Sequence, residues 1–383
     1  MTTPLLKIRP TQKDIAKALG ISQAAVAMAL NAKTQWKLTD ETVARVQAKA
    51  KEMNYSPQRQ ASILRSGRSH TIGVVFIYSA YHGPQERVKH LARAAIRAGY
   101  QLIAVDLAWF EDDLKQAAEY LKGAAAEGVI LCNLSPEKSE QWEWGVHDWP
   151  TLCLSSPSEA AVDAVSCNME DAFYRMTRHH LEQGSRRLTF LTASYDVAVL
   201  GGKTVFRTIA DRVRGFTRAI EEQGGEVISA REDNAAQLGL PAAFRRSADG
   251  LRGQVVYPPR PPGISNAFEL GAHYVATLLE TGSPLPDSLV ATNDDIAIGA
   301  LGVCQKRNIS VPQELIISGG DDSPFGRHTA VPLTTFRQPS EDLACFSIER
   351  LVQVIENRDL MQAPVHERFL CELIVRESTQ RHP

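Results

Sequence analysis

The sequence of 383 residues predicts a small all-α helix-turn-helix domain, followed by a larger α/β domain of two lobes with parallel, doubly wound sheets. Residues 11–31 have the pattern of two short helices joined by a glycine turn. A continuous apolar, β-branched run begins at Thr71, as in a buried parallel strand. Strands and amphipathic helices then alternate, and the alternation begins again near residue 170, which predicts the two lobes.

The first predicted helix begins after Thr11. This residue can cap the helix, and Asp14, three residues later, completes a capping box. Ile15 and Leu19 lie on one apolar face at helical spacing. Gly20 supplies the corner that follows, because a tight turn between helices often needs a positive φ.

The second predicted helix begins after Ser22 and has Val26 and Ala29 on its inner face. Two short helices joined in this way form the helix-turn-helix unit, whose second helix reads bases in the major groove of DNA. The pattern therefore predicts a DNA-binding domain at this end of the chain.

Two more helices are predicted to complete the amino-terminal part. Thr39 caps a helix that reaches about residue 54. Ser56 and Pro57 then favour the start of a short fourth helix, which ends at Gly67. A helix of that length is unstable alone in water, so we expect it to need a partner helix or DNA.

The distribution of charge supports a role in DNA binding. Residues 1–68 contain twelve Lys and Arg against four Asp and Glu, a net charge of +8, whereas the rest of the chain has a net charge of −10. The whole-chain value of −2 conceals this asymmetry. A basic segment that coincides with a helix-turn-helix pattern fits phosphate binding at that end alone.

The predicted elements of the larger domain alternate regularly. The predicted strands are 71–78, 101–107, 128–132, 151–155, 164–168, 186–193, 226–230, 254–257, 288–292 and 314–320, and the predicted helices are 85–98, 112–126, 170–183, 209–223, 268–281 and 296–307. Open α/β sheets bind ligands at the carboxyl ends of their strands. A ligand cleft between the two lobes is therefore expected.

Composition excludes several other classes of protein. The amino terminus has no apolar segment of the secretory type, and no apolar run approaches the ~20 residues that span a bilayer, so neither export nor a membrane partner is expected. The six cysteines are scattered without metal-ligand spacing, which predicts free, mostly buried thiols in a reducing cytoplasm. No cofactor or metal is expected.

The chain resembles the LacI/GalR (lactose-repressor-type) family of transcriptional regulators over nearly its full length. The motifs that carry the resemblance stand in the family's order: TQKDIAKALGISQAAVAMALN (11–31), LTDETVARV (38–46), NYSP (54–57), ASILRSGRSHTIGVV (61–75), RVRGF (212–216), NDDIAIGAL (293–301), VPQELIISGGDD (311–322) and PLTTFRQP (332–339).

The resemblance implies a homodimer that binds a pseudo-palindromic operator in the bacterial cytoplasm, on the nucleoid when DNA is bound. It implies a small effector, often a sugar or a nucleobase, in the cleft of a body similar to periplasmic sugar-binding proteins. The expected domains are 1–56 for DNA binding, 57–70 for a hinge helix and linker, and 71–383 for the effector. The lobes of that last domain would be about 71–168 and 169–335, with the late chain crossing back.

Nine residues match DNA-contacting positions of the family. Those that would bond phosphates are Thr11, Ser22, Asn31 and Tyr55. Gln23 and Ala24 stand where the main base readers are found, and Met28 replaces a residue that is usually polar or basic. Leu64 would wedge into the minor groove at the operator centre, or contact the other subunit, and Arg65 would follow into a phosphate or groove contact.

The second helix lacks the arginine that makes the common bidentate contact to guanine. Ala24 and Met28 are instead suited to touch thymine methyl groups. The operator half-site is therefore expected to differ from that of relatives with a basic recognition helix.

The effector site is predicted from residues at the ends of strands. Arg212 has the family's spacing before Gly-Phe and would bond ligand hydroxyls or a carboxylate, the alternative being a surface arginine on a basic helix. Asp294 would accept sugar hydroxyls, or it would only cap a helix. Asp321 would line the same cleft. Further candidates after the first strand of the body are Tyr81, His82 and Gln85.

The sequence disfavours two other functions, and it contains one unusual segment. Asp294/Asp295 and Asp321/Asp322 resemble a glycosidase acid pair, but no GxSxG, P-loop or metal-ligand pattern accompanies them. A periplasmic binding protein is disfavoured by the basic segment and the missing signal. The segment 240–263, with PPRPP at 258–262, is expected to form a stiff polyproline loop near the cleft or, alternatively, a docking site for a proline-recognising module.

Overall fold

The chain forms two compact units, Met1–Ser69 and His70–Pro383. The computed structural model describes residues 10–31, 34–55, 67–76, 82–110, 113–134, 148–155, 162–192, 206–229, 250–256 and 266–381. The predicted fourth helix and the PPRPP motif lie outside these residues. Each unit is taken by itself below.

The first unit is helical, as predicted. Its helices are α1 (Gln12–Leu19), α2 (Gln23–Ala29) and α3 (Asp40–Glu52), with a 3-10 turn at Gln35–Lys37. Ile15, Val26 and Val46, one from each α-helix, are fully buried and form the centre of a common core. Each helix contributes too little apolar surface to be stable alone, so this shared core holds the three together.

The helix boundaries of this unit follow from their caps. The capping box is present: the Thr11 amide donates to Asp14 Oδ2 at 2.7 Å, and the Asp14 amide donates to Thr11 Oγ1 at 3.4 Å. Gly20 has φ +66° at the corner. Ser22 Oγ accepts from the Ala25 amide at 3.1 Å and so begins α2. The helix-turn-helix prediction is confirmed in detail.

The second unit contains two parallel sheets. The strands are β1 (Thr71–Phe76), β2 (Gln101–Asp106), β3 (Gly128–Cys132), β4 (Thr151–Leu154), β5 (Asp163–Cys167), β6 (Arg187–Leu191), β7 (Glu226–Ser229), β8 (Arg252–Val256), β9 (Ser288–Ala291), β10 (Ile316–Ser318), β11 (Thr335–Arg337), β12 (His366–Phe369) and β13 (Glu372–Ile374). The first sheet has the order β12-β5-β4-β3-β1-β2, and the second has the order β10-β9-β6-β8-β7. The predicted two-lobed α/β architecture is confirmed.

Helices cover the sheets of this unit. They are α4 (His82–Arg97), α5 (Leu114–Gly123), α6 (Met169–Glu182), α7 (Phe206–Glu221), α8 (Ala267–Glu280), α9 (Asp294–Lys306), α10 (Pro324–Arg327) and α11 (Ser340–Glu356). The helix starts differ from the predicted ones by one to three residues. α4 begins at His82 rather than Gln85, and α7 begins at Phe206 rather than Ile209. α5 begins after Asp113, whose carboxylate accepts from the Lys115 and Gln116 amides.

The late part of the chain returns to the first sheet. β12 pairs with β5 in parallel, and Phe369 lies opposite Cys167. β11 and β13 form a separate antiparallel pair. The chain thus passes between the lobes after β5, between β11 and α11, and between β12 and β13.

The strand predicted at 254–257 is present as β8 (Arg252–Val256), with Gly253, Gln254 and Val255 buried. The segment 240–263, which is also expected to form a polyproline loop, is therefore not a loop throughout. β8 lies between β6 and β7, so its apolar residues are covered on both faces. The rest of that segment lies outside the described residues, apart from residues 250 and 251.

Candidate functional site

The exposed face of α2 presents the predicted base readers. Gln23 and Ala24 are exposed, and Met28 is partly exposed. Val26 and Ala29 point inward, where they are buried. Ala24 and Met28 are four residues apart and share one face of the helix. The predicted apolar reading surface is thus accessible.

The predicted phosphate contacts surround this helix in the sequence. Thr11 and Ser22 cap α1 and α2, so their side chains stand beside backbone amides at helix starts. Asn31 follows α2 and is exposed, and Tyr55 follows α3 and packs partly against the core. Leu64 and Arg65 lie outside the described residues.

In the second unit, three strand ends of the second sheet are joined by backbone hydrogen bonds. The Thr292 amide, after β9, donates to the Leu191 carbonyl at the end of β6, at 2.9 Å. The Asp294 amide donates to the Gly320 carbonyl after β10, at 2.8 Å. The residues that follow these strands therefore share one edge, which is where an open α/β sheet binds its ligand.

Arg212 on α7 differs from the other arginines of this helix in its hydrogen bonding. Its Nε is buried and has no hydrogen-bond partner among the described residues. Its guanidinium lies 5.8 Å from the centre of the Phe173 ring. Arg214 and Arg218, in contrast, are half exposed and both pair with Glu170. The alternative of a surface arginine on a basic helix therefore describes Arg214 and Arg218 better than Arg212.

Asp294 is held by the protein itself. Its side chain is buried, with Oδ1 accepting from Thr335 Oγ1 at 2.6 Å and Oδ2 accepting from the Ser323 amide at 2.5 Å. Burial raises the pKa of this carboxyl well above its usual range. The cap of α9 is Asn293, whose side chain accepts from the Ile296 amide. These bonds give Asp294 a structural role that its sequence context does not predict.

The neighbouring acids are differently placed. Asp295 is buried, and burial, followed by the charge of Asp321, raises its pKa to about 6. Asp321 is partly exposed, has φ +98° and accepts a hydrogen bond from Gln338 Nε2. Asp295 and Asp321 therefore lie close enough for the charge of one to affect the other.

Asp322 forms the centre of an arginine cluster. Its side chain is 1% exposed and accepts from Arg327 Nη2 at 2.6 Å, from Arg337 Nε at 2.7 Å and from Arg376 Nη2. Burial opposes ionisation of this carboxyl, but hydrogen bonds from the three arginines outweigh burial and keep its pKa below the ordinary value. The sequence does not reveal this cluster, because its members lie up to 54 residues apart.

Two buried hydroxyls at strand ends were not predicted as site residues. Thr192 follows β6 and Ser155 follows β4, and neither Oγ atom has a hydrogen-bond partner within the described segments. A buried hydroxyl without a partner costs free energy, so each is suited to a polar ligand group. The signal in the sequence is a hydroxyl residue directly after an apolar strand.

The remaining candidates are only partly described. Tyr81 lies outside the described residues, and His82 and Gln85 lie in the first turn of α4 with side chains that are not described. All six cysteines are free thiols, and only Cys345 is not buried, as predicted. The described residues contain no group of three or more metal-binding side chains, and none of their helices is long and apolar enough to cross a membrane.

Comparison with known proteins identifies the family. A model of the periplasmic binding protein-like domain matches residues 177–379, and a model of the periplasmic binding proteins and sugar binding domain of the LacI family matches residues 69–234. The first of these covers more than half of the chain. The protein therefore belongs to the LacI/GalR family of transcriptional regulators.

Individual relatives are similar along nearly their whole length. The ribose operon repressor of Escherichia coli (strain K12) is 24% identical over 355 residues, which cover 92% of this chain and 95% of the relative. The transcriptional repressor PurR of Haemophilus influenzae (strain ATCC 51907) is 26% identical over 373 residues, which cover 97% of this chain and 98% of the relative.

Two solved structures show the same fold. One is a lac repressor dimer bound to operator and the anti-inducer ONPF, with a TM-score of 0.72, 18% identity and coverage of 98% of this chain and 100% of that chain. The other is the complex of the transcriptional regulator CelR with cellobiose, with a TM-score of 0.61 and 21% identity. The match covers 97% of this chain and 100% of that chain.

Proposed function

We propose that the protein is a transcriptional repressor that binds a pseudo-palindromic operator as a homodimer and changes its operator affinity when a small effector binds. The observation that carries the proposal is the exposed face of α2 on a capped, basic helix-turn-helix unit. The relatives named above as repressors support the same role. They also support a regulatory rather than a catalytic function, in the bacterial cytoplasm where operator DNA is found.

Within this proposal the recognition surface is apolar. Gln23, Ala24 and Met28 would face the bases, while Thr11, Ser22, Asn31 and Tyr55 would bond phosphates on either side. Leu64 and Arg65 would complete the contact at the operator centre. Residues 15–39 contain three lysines and no acidic residue, so no carboxylate of this segment opposes the phosphates.

The test is selection of binding sites from random duplex DNA with the full chain. We expect an enriched site with two inverted half-sites, and an affinity that falls steeply as salt is raised, because each neutralised phosphate releases counterions. Enrichment of no sequence, or an affinity for the selected duplex that does not depend on salt, would contradict the proposal.

The effector proposed is a small polyhydroxyl or carboxylate compound such as a sugar or sugar acid. Arg212 Nε, Thr192 Oγ1 and Ser155 Oγ are buried polar atoms without partners in the described structure. Thr192 and Ser155 directly follow strands, and Arg212 lies on α7 against the Phe173 ring. Hydroxyl and carboxylate groups would satisfy these atoms.

Thermal-shift measurements against sugars and sugar acids test this choice. A bound effector stabilises the folded state, and we expect Arg212→Ala to weaken the response of the best compound at least tenfold in concentration. Arg214→Ala is the matched control, because Arg214 lies on the same helix but pairs with Glu170. Equal responses from the two variants would remove Arg212 from the effector site.

A further inference from the structure

A second DNA-contacting element follows the recognition helix. Trp36 lies in the turn Gln35–Lys37 and is 75% exposed, although Ile15, Val26 and Val46 of the same unit are fully buried. An aromatic ring left in solvent on a small folded unit often marks a contact surface. Single exposed apolar side chains are common on protein surfaces, but the turn that carries this ring is hydrogen-bonded to α2, and a lysine stands beside the ring.

The turn that carries Trp36 is fastened to the end of α2. Thr34 Oγ1 donates to the Met28 carbonyl at 3.2 Å, and the Thr34 and Gln35 amides both donate to the Asn31 carbonyl at 2.9 Å. The backbone that leads into Trp36 is therefore fixed relative to α2.

The chemistry of the turn favours an anionic partner. Lys37 Nζ lies 5.4 Å from the centre of the Trp36 ring. The nearest acidic residues along the chain are Asp40 and Glu41 in the first turn of α3, and no acidic residue lies between Asp14 and Asp40. The lysine supplies a full positive charge, which suits a phosphate, and the flat face of an exposed indole suits the apolar face of a sugar.

The position of the turn indicates which part of the DNA it meets. A recognition helix contacts base edges with its amino-terminal residues, so the chain that leaves its carboxyl end emerges from the groove towards the sugar–phosphate backbone. We propose that Trp36 packs against a sugar and Lys37 neutralises a phosphate at the margin of each half-site. Such contacts raise affinity and fix orientation without reading sequence.

The experiment compares Trp36→Ala with Trp109→Ala in the full chain. Trp109 is 70% exposed on the other unit and is the matched control for the loss of an exposed indole. The probes are the duplex selected above and an unrelated duplex of equal length, titrated by fluorescence anisotropy. We expect Trp36→Ala to weaken binding to both duplexes about tenfold, with Trp109→Ala close to wild type. Lys37→Ala should reduce the slope of log affinity against log salt by about one.

Three outcomes would overturn the inference. The first is equal affinity of the Trp36→Ala and Trp109→Ala variants. The second is a loss confined to the selected duplex, which would make Trp36 a base reader. The third is loss of the wild-type oligomeric state in Trp36→Ala without DNA, which would make it a subunit contact. The inference rests on the proposed function, and if the wild type binds neither duplex, both fail. If only the Trp36→Ala comparison fails, the proposed function stands.

Discussion

Replacing Asp322 by asparagine is expected to lower the free energy of unfolding by about 3 kcal/mol. The substitution leaves Arg327, Arg337 and Arg376 around a neutral amide, and Arg376, at 16% exposure, is too buried to be solvated freely in its place. Arg327 and Arg337 are about half exposed, so water can partly solvate their charges. The loss in free energy of unfolding is therefore expected at the lower end of the range for breaking a buried ion pair. Urea unfolding curves of the two proteins measure the difference.

The pH dependence provides an internal check. The pKa of Asp322 in the folded protein lies below its ordinary value. Its contribution to the free energy of unfolding is therefore complete above the unfolded-state pKa of about 4, and it is lost as the pH falls through the folded-state pKa. The difference in free energy of unfolding between the wild type and Asp322→Asn should therefore decrease as the pH falls below about 4.

Glu372→Gln is the matched control for this prediction. Glu372 also pairs with Arg337, but it is 65% exposed, so its removal should cost less than about 1 kcal/mol. Equal costs for Asp322→Asn and Glu372→Gln would show that the cluster is solvated and contributes little.

Much of the fold could be predicted because it is locally encoded. Parallel strands buried on both faces are continuous apolar runs, and the helices of the first unit carry their caps beside them, as Thr11 and Ser22 do. β12 could not be predicted in this way. It is a short edge strand of alternating exposure, and its partner Ala164 lies about two hundred residues from His366.

Prediction of the candidate site from the sequence meets a similar limit. The spacing before Gly-Phe singles out Arg212, but only the structure shows that its Nε is buried and unpaired among the described residues, whereas Arg214 and Arg218 form ion pairs. The sequence predicts that Asp294 binds an effector or caps a helix, and it does not show that Ser323 and Thr335 donate to its carboxylate from 29 and 41 residues away. Sequence patterns report which residues are near along the chain, whereas a carboxylate's role depends on which donors the fold brings to it.

Met28→Arg is expected to change the preferred operator. Met28 and Ala24 form an apolar, accessible face on α2, and neither can donate to guanine. The wild type should favour thymine opposite these side chains, with Gln23 reading a neighbouring adenine. An arginine at position 28 can donate two hydrogen bonds to guanine, which discriminate by about 1–3 kcal/mol at one symmetric position of each half-site. Site selection from random DNA with both proteins measures the shift.

The added charge needs its own control, because any new arginine on a basic domain strengthens binding to phosphates. Ala18→Arg supplies it: Ala18 is exposed on α1, which crosses the backbone rather than entering the groove. This variant should bind all DNA more tightly and select the wild-type half-site. Met28→Arg should instead select guanine at one position and discriminate there more strongly than the wild type, since a methyl contact is weaker than a bidentate pair. If Met28→Arg and Ala18→Arg select the same half-site, Met28 does not face the bases, and the placement of α2 in the groove is wrong.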